Sequence, residues 1–302
     1  MTRPGQLSAE AHQVLSSGQF APADRSARNL PSLRARTKAA IAPAVERVLR
    51  ATGVTTRDIT INGVACMEVS PPERTAPWPV LYGFGGGFIQ GSPFEELTIT
   101  APLCAMTGAR LIVPDYRLAP EHPWPAAVED GYAVYRKLAE RRFAIVGESA
   151  GGNLALVLMQ RAREEGLALP GAVALLSPWC DLSNPGDSLT FNDGRDPSLS
   201  ARGSRQAVRH YVGANPVAHP DISPINGMFD ADFPPFVITT GTRDLHLSQA
   251  VQLSQVLRDS GVPVDLQVWD GLWHVFEFYD HLPEARHSIR RIAAHLQSNM
   301  NR

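Results

Sequence analysis

The chain has 302 residues, 44% of them hydrophobic, enough to bury a full core as one large α/β domain. Lys and Arg number 28 against 30 Asp and Glu, a formal net charge of −2 that gives no electrostatic case for nucleic acid or an anionic membrane surface as a partner. The three cysteines, Cys66, Cys104 and Cys180, cannot all pair and show no metal-ligand spacing, and residues 1–18 carry no signal-length apolar run, so a cytoplasmic, disulfide-free protein is expected.

Residues 1–52 read as helical, with amphipathic stretches over 8–16 and 33–50 and little strand signal. Strand-like runs over 57–61 and 65–69 are split by Asn62-Gly63, a strong hairpin signal. Strands and helices then alternate: strand 80–84, helix 95–107, strand 110–114, helix 126–140, strand 143–146 and helix 150–165. Strand 172–176 precedes a long irregular stretch, and strand 236–240, helix 248–259, strand 264–269 and helix 284–297 close the chain. This alternation predicts a mostly parallel, doubly wound α/β sheet with helices on both faces. The insertion over 183–220 carries one helix-like piece, 200–212, and such an interruption of a regular pattern is usually functional. With the N-terminal helices it is expected to form a cap, with Phe20, Phe191, Tyr211 and Val212 either lining a pocket or packing the cap onto the core.

The chemistry starts at Gly147-Glu148-Ser149-Ala150-Gly151-Gly152-Asn153, a G-x-S-x-G turn between a strand-like and a helix-like run. A serine on so sharp a turn sits at strained backbone angles, which explains the glycine two residues to either side. A serine nucleophile needs a base, a residue to orient that base, and donors for an oxyanion. Downstream, Asp244 follows the strand 236–240 and its exit turn, and His274 follows the strand 264–269. One helix lies between them, so a single crossover places both at the same sheet edge. A helix cap is the alternative role for Asp244, and His246 falls on the first turn of the next helix. The remaining histidines fall in polar segments or, as His122, in a proline-rich stretch. Gly85-Gly86-Gly87 after the strand 80–84 can bring backbone N–H groups close to a carbonyl. No Walker lysine or dinucleotide fingerprint follows that would make it a phosphate cradle.

These segments resemble the hormone-sensitive-lipase family of α/β-hydrolases, on its bacterial esterase branch. The matching stretches are Gly85-Gly86-Gly87-Phe88 with Gly91-Ser92, the specific Asp115-Tyr116-Arg117-Leu118-Ala119-Pro120-Glu121-His122-Pro123-Trp124-Pro125-Ala126-Ala127, the serine turn, Ser177-Pro178-Trp179-Cys180-Asp181-Leu182, Pro234-Pro235, Asp244 and His274. They run in family order over about 78–276. The resemblance implies Ser149 as nucleophile, Asp244 and His274 as its partners, and the N–H groups of Gly86, Gly87 and Ala150, with Gly85 in the same loop, as an oxyanion hole. It implies an α/β-hydrolase core over 53–182 and 221–302, and a cap from 1–52 and 183–220. Three departures stand out: Phe84 replaces the usual histidine before the glycines, only Ala139-Glu140-Arg141-Arg142 separate the helix from the serine strand, and Leu245-His246 follow the acid where Pro-Leu is usual.

The expected activity is hydrolysis of short- to medium-chain acyl esters through an acyl-enzyme, with no metal or organic cofactor. Phe84, Phe88, Glu148, Phe191 and Tyr211 are the candidate substrate-binding residues. The alternatives are a lactone or amide hydrolase using the same triad, and a ligand-binding protein on the same fold. Relatives often pair through the last strand and helix, and an exposed edge strand needs cover, so a homodimer is plausible.

Overall fold

The structure, a computed structural model, describes residues 7–17 and 24–301. Phe20 lies outside them. Ser8 caps the first helix, α1 (Ala9–Ser16), its Oγ accepting from Ala11 N at 3.1 Å. The second, α2 (Leu30–Thr52), stops where Gly53 takes a left-handed φ of 65°. Strands β1 (Thr55–Ile61) and β2 (Val64–Ser70) pair antiparallel with Ile61 opposite Val64. Asn62 and Gly63 both have positive φ, 48° and 85°, the two-residue turn that this dipeptide favours.

The alternating part follows in order: β3 (Val80–Gly83), α3 (Leu97–Thr107), β4 (Leu111–Pro114), α4 (Ala126–Leu138), β5 (Ala144–Glu148), α5 (Ala150–Glu164) and β6 (Val173–Leu176). The insertion contributes the short α6 (Ser188–Phe191) and α7 (Ala201–Val212), and the chain finishes with β7 (Phe236–Gly241), α8 (Leu247–Asp259), β8 (Val264–Trp269) and α9 (Pro283–Met300). Among the described residues one eight-stranded sheet forms in the order β1-β2-β4-β3-β5-β6-β7-β8. It is parallel from β4 to β8 and antiparallel at β1/β2 and β2/β4. Every residue of β3 to β7 is buried, as expected of strands covered by helices on both faces.

The expected elements are all present, with ends displaced by a few residues. The last helix gains a residue at its start, where Pro283 occupies the first turn and needs no N–H partner, and runs on to Met300. Helix α4 stops two residues short of the expected 140.

The N-terminal segments and the insertion meet above the carboxy ends of the strands. Arg34 of α2 donates to Ile89 O at 2.8 Å and Ala119 O at 2.8 Å, and pairs with Glu121. His210 of α7 bonds the Arg25 carbonyl at 2.9 Å, tying the insertion to the N-terminal part. Helix α1 packs Ala11 and Val14 into a second apolar cluster with Leu272, Trp273 and Phe276, against the turn that carries His274.

Candidate active site

Ser149 stands between β5 and α5 with φ 53° and ψ −118°, outside the regions a non-glycine residue adopts freely. The turn is possible because the chain crosses itself through glycines. A Cβ on Gly147 would run into Gly151 O, and a Cβ on Gly151 into Gly83 O. Ser149 N is held by Leu176 O at 2.9 Å, so the neighbouring strand β6 braces the bend.

The structure brings the three separated residues into one row. His274 Nε2 lies 2.9 Å from Ser149 Oγ and its Nδ1 lies 2.9 Å from Asp244 Oδ1. All three side chains are buried. Asp244 also accepts from His246 N at 2.8 Å and Thr240 Oγ1 at 2.8 Å. Burial alone would push its carboxyl up, but His274, with the nearby His246 and the Ser177 hydroxyl, outweighs it and holds the group well below the usual carboxylate range. Burial likewise disfavours a charged His274, yet Asp244 more than offsets it, so the imidazole pKa lies above its ordinary value.

Gly86 and Gly87 have left-handed φ of 96° and 67° and border the same cavity as Ser149. Among the described residues, neither N–H has a hydrogen-bond partner. Ala150 N begins α5, where helix geometry leaves an N–H without an internal acceptor. Gly85 differs: its N–H is donated to Glu148 Oε1, so it anchors the loop and does not face a substrate oxygen. Glu148 in turn meets Glu96, whose carboxyl is also buried. Burial and their mutual proximity push Glu148 up to about 7 and Glu96 well above its ordinary value.

The cavity over Ser149 measures about 520 Å³. Glu148 borders it, but the expected aromatic contacts do not. Phe84 is fully buried and stacked on Tyr116, ring centroids 4.0 Å apart, while Tyr116 Oη donates to Phe84 O at 2.6 Å. The aromatic pair supports the glycine loop from behind, in the place where the resembling family uses histidine. Phe88 is stacked on Tyr211 at 3.9 Å, both wholly buried, so these two pack the cap onto the core. Val212 is buried with them in the core cluster. Phe191 points to solvent with 71% of its surface exposed and does not reach the cavity.

Residues that the sequence reading passed over take those places. Trp179, His246, Phe278 and Tyr279 line the cavity, as do Arg25 and Ile41 of the N-terminal part. His246 stacks on Trp179 and meets His274 edge-on at 4.9 Å between centroids. Burial lowers it to about 3, so it is neutral. Asn192 and Asp196 of the insertion grip the acid turn: Asn192 Nδ2 donates to Asp244 O at 2.9 Å, and Asp196 Oδ2 accepts Leu245 N at 3.0 Å. Only the position of Asn192 and Asp196 in an insertion hinted at function. Asp244, His246 and His274 also offer ligand atoms within 4.8 Å of one another, but two of them are already engaged with each other.

A nucleophile, a base and an orienting acid in one row, beside unengaged backbone donors, can attack a carbonyl and hold the resulting oxyanion. Comparison with known proteins agrees with that chemistry. A family model described as the alpha/beta hydrolase fold matches residues 80–278. An acetyl-hydrolase of Streptomyces hygroscopicus is 33% identical over 252 residues, 82% of this chain and 84% of that protein. The crystal structure of an esterase from the bacterial hormone-sensitive lipase family superposes with a TM-score of 0.87 at 30% identity, covering 99% of this chain and 100% of that one. The crystal structure of EstE5 soaked with p-nitrophenyl butyrate superposes with a TM-score of 0.85 at 27% identity, over 97% of this chain and 98% of that one. With the motifs in order, one sheet presenting them together and these relatives matched over most of their length, the chain belongs to the α/β-hydrolase-fold family, among the bacterial esterases related to hormone-sensitive lipase.

Proposed function

We propose that the chain is a serine carboxylesterase that hydrolyses short- to medium-chain acyl esters through an acyl-enzyme. The observation that carries this reading is the unbroken row from Ser149 Oγ through His274 to Asp244, opening on a cavity of small-ligand size. His274 Nε2 takes the Ser149 proton as Oγ attacks the ester carbonyl. Asp244 keeps the imidazole in the tautomer whose Nε2 accepts, and stabilises the imidazolium. The N–H groups of Gly86, Gly87 and Ala150 receive the oxyanion. When the tetrahedral species collapses, His274 gives the proton to the leaving alcohol. Water then repeats the cycle on the acyl-serine and releases the acid.

Residues 1–52 and 183–220 act as the cap over a core of 53–182 and 221–302. This division is supported by Arg25, Ile41, Pro197 and Ala207, which border the cavity from the cap side. Three buried free thiols are in keeping with a reducing compartment. No helix among the described residues is long and apolar enough to cross a membrane. The relatives' own descriptions as acetyl-hydrolase and esterase favour esters over lactones or amides.

The test is hydrolysis of p-nitrophenyl esters from acetyl to palmitoyl, native chain beside S149A. Activity should peak at short or medium acyl chains and fall by at least about a thousandfold in S149A. A folded S149A that kept more than about a hundredth of the rate would remove Ser149 from the mechanism.

A further inference from the structure

We infer that Arg25 is an anion-recognition residue, and that the preferred substrates are esters bearing a free carboxylate, the hemiesters of short dicarboxylic acids. This rests on the esterase reading and names the substrate class of the same cavity. Arg25 borders the cavity together with Ser149. Among the described residues its guanidinium makes no ion pair and no hydrogen bond, unlike Arg34, Arg47, Arg117, Arg161 and Arg163, each of which has a carboxylate partner.

The missing counter-charge is not hidden nearby. Residues 18–23 contain no acid. The adjoining Asp24 is turned away, accepting from Ser26 N at 2.9 Å and Asn29 Nδ2 at 2.7 Å. The guanidinium lies against the first turn of α7, Nη1 3.4 Å from where a Cβ on Gly203 would stand. That is the positive end of the helix, so the backbone adds to the uncompensated charge. Of the three acids that border the cavity, Glu96 and Glu148 are committed to each other and to Gly85 N, and Glu95 accepts from Ser92 Oγ at 3.3 Å and lies near Lys38. A half-buried cation without a partner is costly, and burial accordingly pulls the Arg25 pKa below its ordinary value.

A substrate carboxylate would supply the partner through the bidentate geometry that guanidinium favours. The reacting ester carbonyl would meanwhile stand over Ser149. Hydrolysis of a monomethyl hemiester consumes one water and releases methanol and the dicarboxylic acid, with no other reactant.

The experiment compares monomethyl succinate, glutarate and adipate with the matching methyl ester amides, followed by pH-stat. The native enzyme should prefer one of the hemiesters over its neutral amide by about tenfold or more in kcat/KM, in line with the strength of charge-assisted hydrogen bonds. That ratio should collapse in R25Q and survive in part in R25K. Free glutarate should inhibit hydrolysis of a neutral ester by the native enzyme far better than glutaramide does, a readout that needs no variant. Hydrolysis of the amides with no preference for hemiesters, or an unchanged ratio in R25Q, overturns the inference while leaving the esterase intact. No hydrolysis of any neutral or charged ester would bring down the esterase reading itself.

Discussion

At the scale of single residues, the behaviour of the site follows from which charges are buried together. His274 must be neutral to accept the Ser149 proton. Asp244 raises its pKa above the ordinary value of 6.5, so the loss of activity on the acid side begins at higher pH than for a free histidine. The expected kcat/KM profile falls about tenfold per pH unit below a midpoint above 6.5. A midpoint clearly below that value would mean that burial, not Asp244, dominates at the base. His246 beside it does not compete, because neither of its ring nitrogens has a hydrogen bond and burial keeps it neutral throughout this range. Glu148 belongs at this scale too. Its hydrogen bond to Gly85 N explains why a residue with carboxylate reach follows Gly147, a role that motif spacing left open.

At the scale of elements, the insertion does more than roof a pocket. Through Asn192 it satisfies the carbonyls of Thr242 and Asp244, and through Asp196 the N–H of Leu245. The turn after β7 therefore takes its shape from a segment some fifty residues upstream. Replacing Asn192 with Ala removes the donor, leaves the Thr242 carbonyl unpaired and leaves the buried Asp244 carbonyl with only the longer bond from Leu247 N at 3.2 Å. The variant should lose about 1–3 kcal/mol of stability, read as a lower urea midpoint, and kcat should fall more than KM rises. A variant as stable and active as the native chain would show that the acid turn holds its shape alone. The legibility of the elements differed in the same way. Helices and strands of the core announced themselves through periodicity and alternation, and the hairpin through Asn62-Gly63. Phe88 and Tyr211 were readable as large apolar residues near the site, but their mutual stacking depends on a contact between the glycine loop and α7 that no local pattern encodes.

At the scale of the whole molecule, β8 has β7 on one side and no described strand on the other. Val268 on it is 45% exposed, an apolar side chain beside unpaired backbone groups. Pairing of two β8 edges would cover both, and sedimentation equilibrium at micromolar concentration should return about twice the chain mass of 32.8 kDa. A single species at the monomer mass would leave the edge to be protected by other means.

The sequence alone determined the chemistry and the architecture that presents it. Ser149 lies in a glycine-flanked turn, Asp244 and His274 each follow a strand, and parallel connections are right-handed, so the three had to emerge at one edge of the sheet. That argument needs only local pattern and connectivity. The tertiary structure decided everything that depends on contacts between distant segments. It turned Gly85 toward Glu148, stacked Phe84 on Tyr116, sent Phe191 to solvent, and left Arg25 at the cavity of the nucleophile without a counter-ion among the described residues. These outcomes are set by packing and by the pairing of buried charges, and both depend on neighbours far away in the chain.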